Sequence, residues 1–323
     1  MRIVITGEAG FIGRNLPLSF KNLGHEFVSL LNHKDMKCLE TGEPCVYRNS
    51  EKIWENILKE NHVDLIVHNA AVVGTDVVAL NPEESTLSNI AGTYNICRAA
   101  EALDIPVCYI GTTVIYDTAS YQQQKIQENS GLGPKTLYGI QKLAAENIVV
   151  SMCRRYNIIR PLFAYGGIGD MNSLISKTFY ASVNDVKDID MFLDPGKIKD
   201  YMHVEDFCDA VAIACDKNVW GERFNVAAEN PYNTREIVEI MERVASTDLK
   251  DKIKWHPETD YLGNHRLDST KFKNAFNWKP KYTLKEGIED AWKSISENLD
   301  TSYDPLKHLN EAKNKGVDLT QFY

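Results

Sequence analysis

The run Ile3-Val4-Ile5-Thr6-Gly7-Glu8-Ala9-Gly10-Phe11-Ile12-Gly13 decides the reading of this chain. Its first three residues are β-branched and apolar and read as a short strand. A Gly-rich turn follows, and residues 14–23 then read as a helix. Strand, tight turn and helix in that order make a cradle for a dinucleotide pyrophosphate. Glycines let the backbone approach the phosphates, and the helix N-terminus presents unpaired N–H groups and the positive end of its dipole. The spacing is Gly-x-x-Gly-x-x-Gly rather than Gly-x-Gly-x-x-Gly, and a turn of this kind can also serve only to close a tight loop.

Working outward, residues 3–5, 26–31, 65–68 and 107–110 read as strands, with helical stretches such as 51–61 and 89–103 between them. That alternation implies βαβ units, right-handed crossovers and a parallel sheet. Residues 138–156 read as a long helix, and 158–160 as the next strand. The fold class is therefore α/β, a Rossmann-type doubly wound parallel sheet. After about residue 165 the pattern loosens, and Gly166-Gly167-Ile168-Gly169-Asp170 reads as a loop. The tail, 296–323, is polar with a few aromatic and Leu residues, and reads equally as a docked helix or a loose extension.

Two further elements carry chemistry. Tyr138 and Lys142 stand four apart, which on a helix puts both side chains on one face. A free Tyr has a pKa of about 10 and is a poor base at neutral pH. A nearby ammonium favours the phenolate, so the pair suits proton transfer to or from a hydroxyl while hydride moves at the carbon. Thr112 follows the apolar run Val107-Cys108-Tyr109-Ile110, at the end of a buried strand. Its hydroxyl can hydrogen-bond the reacting oxygen or merely cap a turn.

Bulk properties exclude several classes. The 323 residues include 43% hydrophobic and 25% charged residues, ordinary for a globular enzyme of one or two domains. A net charge of −9 argues against nucleic acid or an anionic membrane as the partner. No apolar run approaches the roughly 18 residues that span a bilayer. The first strand begins within three residues of Met1 with no charged and apolar leader, so a cytoplasmic protein is expected. The seven cysteines form no Cys-x-x-Cys and read as reduced, mostly buried thiols. The eight histidines show no ligand spacing, so no metal site is expected.

Taken in order, these motifs resemble the extended short-chain dehydrogenase/reductase superfamily, the NAD(P)-dependent nucleotide-sugar epimerases, dehydratases and reductases. His68-Asn69-Ala70-Ala71, Asn89-Ile90-Ala91-Gly92-Thr93 and Arg160-Pro161-Leu162-Phe163-Ala164-Tyr165-Gly166 extend the resemblance. So do Lys199-Asp200-Tyr201-Met202-His203-Val204-Glu205-Asp206, Phe224-Asn225-Val226, Arg266-Leu267-Asp268 and Trp278-Lys279-Pro280, covering roughly residues 1–295. The resemblance implies a dinucleotide domain of residues 1–165 plus about 201–225. It implies a smaller C-terminal α/β substrate lobe of about 166–200 and 226–295. It also implies a homodimer through a four-helix bundle built from 89–103 and 138–156. Both stretches carry more apolar residues than one face needs, among them Ile90, Tyr94, Ile96 and Ala99, and Ile140, Leu143, Ile148 and Val149.

By the same resemblance Gly7, Gly10, Phe11, Ile12 and Gly13 line the pyrophosphate, and Ala70, Ala71, Asn89 and Pro161 flank the cofactor. Tyr138 is the acid or base at sugar C4, Lys142 tunes it and contacts the nicotinamide ribose, and Thr112 bonds the same oxygen. In NAD-linked members the second strand ends in an acid that binds the ribose hydroxyls. Here that place holds Leu31 and Asn32, and His33 and Lys34 follow, which leans the cofactor, NAD(P), towards NADP. A nucleoside-diphosphate sugar is the expected substrate, contacted by Thr112, Thr113, Asn172, Lys199 and Arg266. Lys199 stands where the family usually has Arg, and Ala164 where many epimerases have Asn. Dehydratases carry Asp-Glu after the active-site Thr. Here Thr113 and Val114 follow Thr112, which disfavours dehydration and decarboxylation. What remains is hydride transfer at C4, either 4-epimerisation or one-way 4-ketosugar reduction or 4-dehydrogenation. A catalytically silent dinucleotide-binding regulator is the reading from another class.

Overall fold

A computed structural model describes residues 1–30, 51–167, 173–184, 186 and 189–297. Six parallel strands form the main sheet. β1 (Arg2–Thr6), β2 (Glu26–Val28), β3 (Leu65–His68), β4 (Val107–Ile110) and β5 (Tyr156–Pro161) come from the first half of the chain. Short strands β6 (Ala164–Tyr165), β7 (Ile189–Met191), β8 (Ile198–Asp200) and β9 (Met202–His203) follow, and β10 (Glu222–Val226) completes the main sheet. Its order is β10-β5-β4-β3-β1-β2. Ile3, Val4 and Ile5 are at most 1% exposed, as are Leu65, Ile66 and Val67 beside them. Continuous apolar strands of this kind need cover on both faces, and they get it.

The helices in chain order are α1 (Phe11–Asn22), α2 (Glu51–Glu60), α3 (Thr75–Leu80), α4 (Pro82–Thr86), α5 (Thr93–Ala102) and α6 (Leu137–Met152). Then come α7 (Leu174–Val183), α8 (Val204–Asp216), α9 (Thr234–Ala245), α10 (Thr270–Phe276) and α11 (Leu284–Glu297). One face of the sheet is packed by α1 and α8, through Leu16, Phe20, Phe207 and Val211. On the other face α2, α5 and α6 contribute Trp54, Ile57, Ile96 and Val149. This is the expected doubly wound α/β fold.

A third core joins α7, α9 and α11 through Phe179, Ile237, Met241 and Ile288, away from the sheet. Two small pairings serve this part of the chain, β8 with β11 (Pro231–Asn233) and β7 with β12 (Ile253–Trp255). Phe272, Phe276 and Trp278 pack instead with Phe224 of β10, in the core beneath α8. So within 226–295 the polypeptide serves both cores.

Strand order reverses beside β1: the chain runs to β2 on one side and to β3 on the other. Helices cannot cover both sides of that point at the carboxyl ends of the strands, so a crevice opens there.

Candidate active site

A cavity of about 850 Å³ occupies this crevice. Its floor is the Gly-rich turn between β1 and α1, with Gly7, Gly10, Phe11 and Ile12 on the wall. The turn closes by a bond from the Gly10 N–H to the Gly7 carbonyl, 3.0 Å. Gly10 is the N-cap of α1 and supplies no side-chain cap. The first N–H groups of the helix are thus left for a ligand. Gly13 does not line the cavity. A Cβ there would stand 2.0 Å from the Gly7 carbonyl oxygen, so its role is to let α1 seat against the turn. This uncapped, side-chain-poor cradle fits a dinucleotide pyrophosphate.

The next wall is the loop after β3, where Ala70 and Ala71 line the cavity. It is held from below. The Thr6 hydroxyl accepts from the N–H groups of Asn69 and Ala70, each at 3.1 Å, so its own hydrogen goes to His68 Nδ1 at 2.7 Å. His68 Nε2 then donates to Thr93 Oγ1 at 2.9 Å, and Thr93 donates to the Asn89 carbonyl at 2.7 Å. Burial, helped by the nearby Lys142 charge, lowers the His68 pKa to about 3 and keeps the ring neutral, as this relay requires. Asn89, expected to flank the cofactor, is 1% exposed and does not line the cavity. Its side chain bonds the N–H (2.7 Å) and carbonyl (3.0 Å) of Val72 and the Gln141 side chain (2.9 Å). It therefore ties the loop after β3 to α6.

Helix α6 brings the reactive pair. Thr136 caps it by accepting from the Gly139 N–H at 3.2 Å. Gly139 runs so close to the loop after β4 that a Cβ would stand 2.9 Å from Pro134 Cβ and 3.0 Å from the Val114 carbonyl oxygen. Tyr138 stands beside Thr112, whose hydroxyl favours the ionised phenol. Thr112, Thr113, Tyr138 and Lys142 all line the cavity, and Pro161 joins them from the end of β5. The Thr113 hydroxyl is buried and has no hydrogen-bond partner among the described residues.

The electrostatics of the pair differ from the sequence expectation. Burial pushes the Tyr138 phenol well above its ordinary value, and the opposing pull comes from the Thr112 hydroxyl. The Lys142 ammonium is turned to the Ile110 carbonyl, 2.7 Å away, over the Tyr109 ring at 4.3 Å. Burial lowers Lys142 to about 7, with Glu146 pulling the other way. Desolvation outweighs the simple rule that an ammonium one turn on depresses a phenol.

Two expected substrate contacts lie elsewhere. Lys199 is 0% exposed and pairs with Asp260 at 2.8 Å and the Gly263 carbonyl at 2.6 Å. Its charge is spent inside the protein, and it does not line the cavity. Nor does Arg266, which donates to the Gln123 carbonyl at 2.9 Å. Among the described residues the cations that line the cavity are Lys142 and Lys177 of α7, against the carboxylates of Glu8, Asp76, Glu84, Asp190 and Asp260. Asn32, His33, Lys34 and Asn172 lie outside the described residues. Sequence reasoning gives no role to Glu8, His68, Gln141 or Lys177. Glu8 and His68 carry a signal, one as a carboxylate inside the glycine turn and the other as the first residue of His68-Asn69-Ala70-Ala71. No group of described residues could hold a metal ion, and no helix among them is long and apolar enough to cross a membrane.

Comparison with known proteins agrees with this geometry. The model of the NAD dependent epimerase/dehydratase family matches residues 3–227. The UDP-glucose 4-epimerase of Bacillus subtilis is 23% identical over 338 residues, covering 93% of this chain and 98% of that protein. Among solved structures, dTDP-glucose 4,6-dehydratase from Bacillus anthracis in complex with NAD is 21% identical with a TM-score of 0.77, covering 93% of this chain and 98% of that one. RMD from Pseudomonas aeruginosa, complexed with NADPH, is 19% identical with a TM-score of 0.77, covering 92% and 99%. These two likenesses show the fold. The chain belongs to the NAD dependent epimerase/dehydratase family, of the extended short-chain dehydrogenase type.

Proposed function

With family membership as the premise, we propose that the chain transfers hydride at C4 of a nucleoside-diphosphate sugar and that its reaction is 4-epimerisation. The observation that carries this is that Thr112, Tyr138 and Lys142 line one cavity with the Gly-rich turn. The bound dinucleotide supplies a hydride acceptor and donor. The protein supplies the rest. Thr112 and Tyr138 hold the C4 oxygen between their hydroxyls. Tyr138 takes the hydroxyl proton as the C4–H bond breaks and the carbonyl forms, and returns it when the carbonyl is reduced from the other face. Burial keeps Tyr138 protonated in the free protein, the form that acts as acid. To act as base it needs positive charge beside it, which Lys142 provides when protonated. Thr113 and Val114 line the cavity directly after Thr112. They offer no carboxylate of the kind that eliminating water requires, whereas hydride transfer at C4 needs no second acid–base pair. Lys177, a cation of α7 that lines the cavity, takes in this reading the part of the diphosphate contact that the family resemblance gives to Lys199 and Arg266.

A second reading, one-way reduction of a 4-ketosugar, is favoured by Ala164, which lines the cavity where many epimerases carry Asn. NMR of UDP-glucose and dTDP-glucose incubated with the protein and NAD separates the two. Appearance of the C4 epimer supports epimerisation. Consumption of NADH or NADPH only in the presence of a 4-ketosugar replaces it with reduction. Tyr138→Phe is expected to lower turnover by about 10²- to 10⁴-fold while dinucleotide binding survives. Full activity in that variant would overturn the assignment. The same reading pairs two copies of the chain through α5 and α6.

A further inference from the structure

We propose that Glu8 reads the adenosine ribose of the dinucleotide and selects NAD(H) over NADP(H). The inference rests on the dinucleotide reading of the cavity. Glu8 is the second residue of the Gly-rich turn, is 8% exposed, and lines the cavity together with Leu30. Its carboxylate accepts from the Leu30 backbone N–H at 2.7 Å and stands 3.2 Å from the Ser29 hydroxyl. These two residues directly follow β2. In a nucleotide-binding βαβ unit the end of the second strand is where a carboxylate accepts from the ribose hydroxyls. This sequence has no acid at the end of its own strand, only Leu31 and Asn32. The structure brings a carboxylate to the same strand end from the turn instead.

The chemistry discriminates in one direction. A carboxylate only accepts hydrogen bonds, and ribose 2′ and 3′ hydroxyls can donate to it. A 2′-phosphate brings acceptor oxygens and negative charge, so it meets repulsion where the hydroxyl meets a partner. The rest of the turn is Gly7, Ala9 and Gly10, so Glu8 is its one ionisable side chain. The inference opposes the lean to NADP drawn from His33 and Lys34.

Fluorescence titration of the full chain with NADH and with NADPH tests this, in the wild type and in Glu8→Gln. Gln keeps a carbonyl for the Leu30 N–H and removes the charge. The wild type is expected to bind NADH at least about tenfold more tightly, and Glu8→Gln to bring the two within about threefold, chiefly by gaining NADPH affinity. A purely structural Glu8 would weaken both dinucleotides together and leave their ratio unchanged. An unchanged ratio, or a wild type that binds NADPH as tightly as NADH, overturns the inference while the dinucleotide site stands. A folded wild type that binds neither overturns the dinucleotide reading and this inference with it. Should Glu8→Gln fail to fold, displacement of NADH from the wild type decides. Adenosine 2′,5′-bisphosphate competing as well as 5′-AMP would refute the assignment, and much weaker competition would support it.

Discussion

Lys142 is a cation whose surroundings work against its charge. In the unfolded chain it holds its proton to the ordinary lysine value. In the folded protein burial lowers that to about 7. Between those limits the unfolded state binds more protons, so stability rises with pH. The contribution is fully present above the ordinary lysine value and is lost as pH falls towards about 7. Urea unfolding of the ligand-free wild type and Lys142→Met should therefore show the wild type gaining on the variant from pH 7 to pH 9. A gap that does not move with pH would contradict the buried, proton-shedding ammonium. At this scale the sequence was readable where a residue's task follows from its neighbours along the chain. Gly7, Gly10, Tyr138 and Lys142 sit in fixed local spacings, and all four line the cavity. Lys199 was not readable, because its partner Asp260 lies 61 positions away and only the folded chain shows the pair. The relay through His68 escaped for the same reason, since Thr6 and Thr93 reach it from different elements.

At the scale of elements, the start of α6 bears the strictest demand. Gly139 has no room for a methyl group between Pro134 and the Val114 carbonyl. Gly139→Ala should cost about 1–3 kcal/mol in urea unfolding, the usual penalty of overpacking. Because the adjacent residue is Tyr138, turnover should fall while NADH still binds the unaltered Gly-rich turn. A variant as stable and as active as its parent would show that this turn has slack. Strand and helix types were legible from apolar runs and periodicity, but their ends were not. The helix read over 138–156 stops at Met152, because Tyr156 is already paired in β5. The stretch read as one helix over 89–103 begins earlier, at Pro82, and passes through a wider π turn at Leu87–Gly92 before α5. That turn carries Asn89, whose side chain holds Val72. Departures of this sort often mark functional places, and no local propensity announces them.

For the molecule as a whole, α5 and α6 pack on each other yet leave apolar side chains outside. Tyr94 is 46% exposed and Ile140 52%, with Leu87 and Leu137 also exposed on the same stretches. Ile96, Ala99 and Val149 fill the core instead, so the excess apolar content of these helices serves two surfaces. Light scattering after gel filtration should give a dimer's mass for the wild type and a monomer's for Ile140→Glu. A wild type that is monomeric at micromolar concentration would remove the assembly. The main sheet also has a history in time. Its last strand, β10, is made of residues 222–226, and α1 is covered by α8, residues 204–216. A ribosome therefore releases the phosphate-cradling turn long before the polypeptide that shields it. Until then β5 is an open edge and α1 shows an oily flank, so the nascent chain passes through a period in which it is exposed to chaperones and to its neighbours.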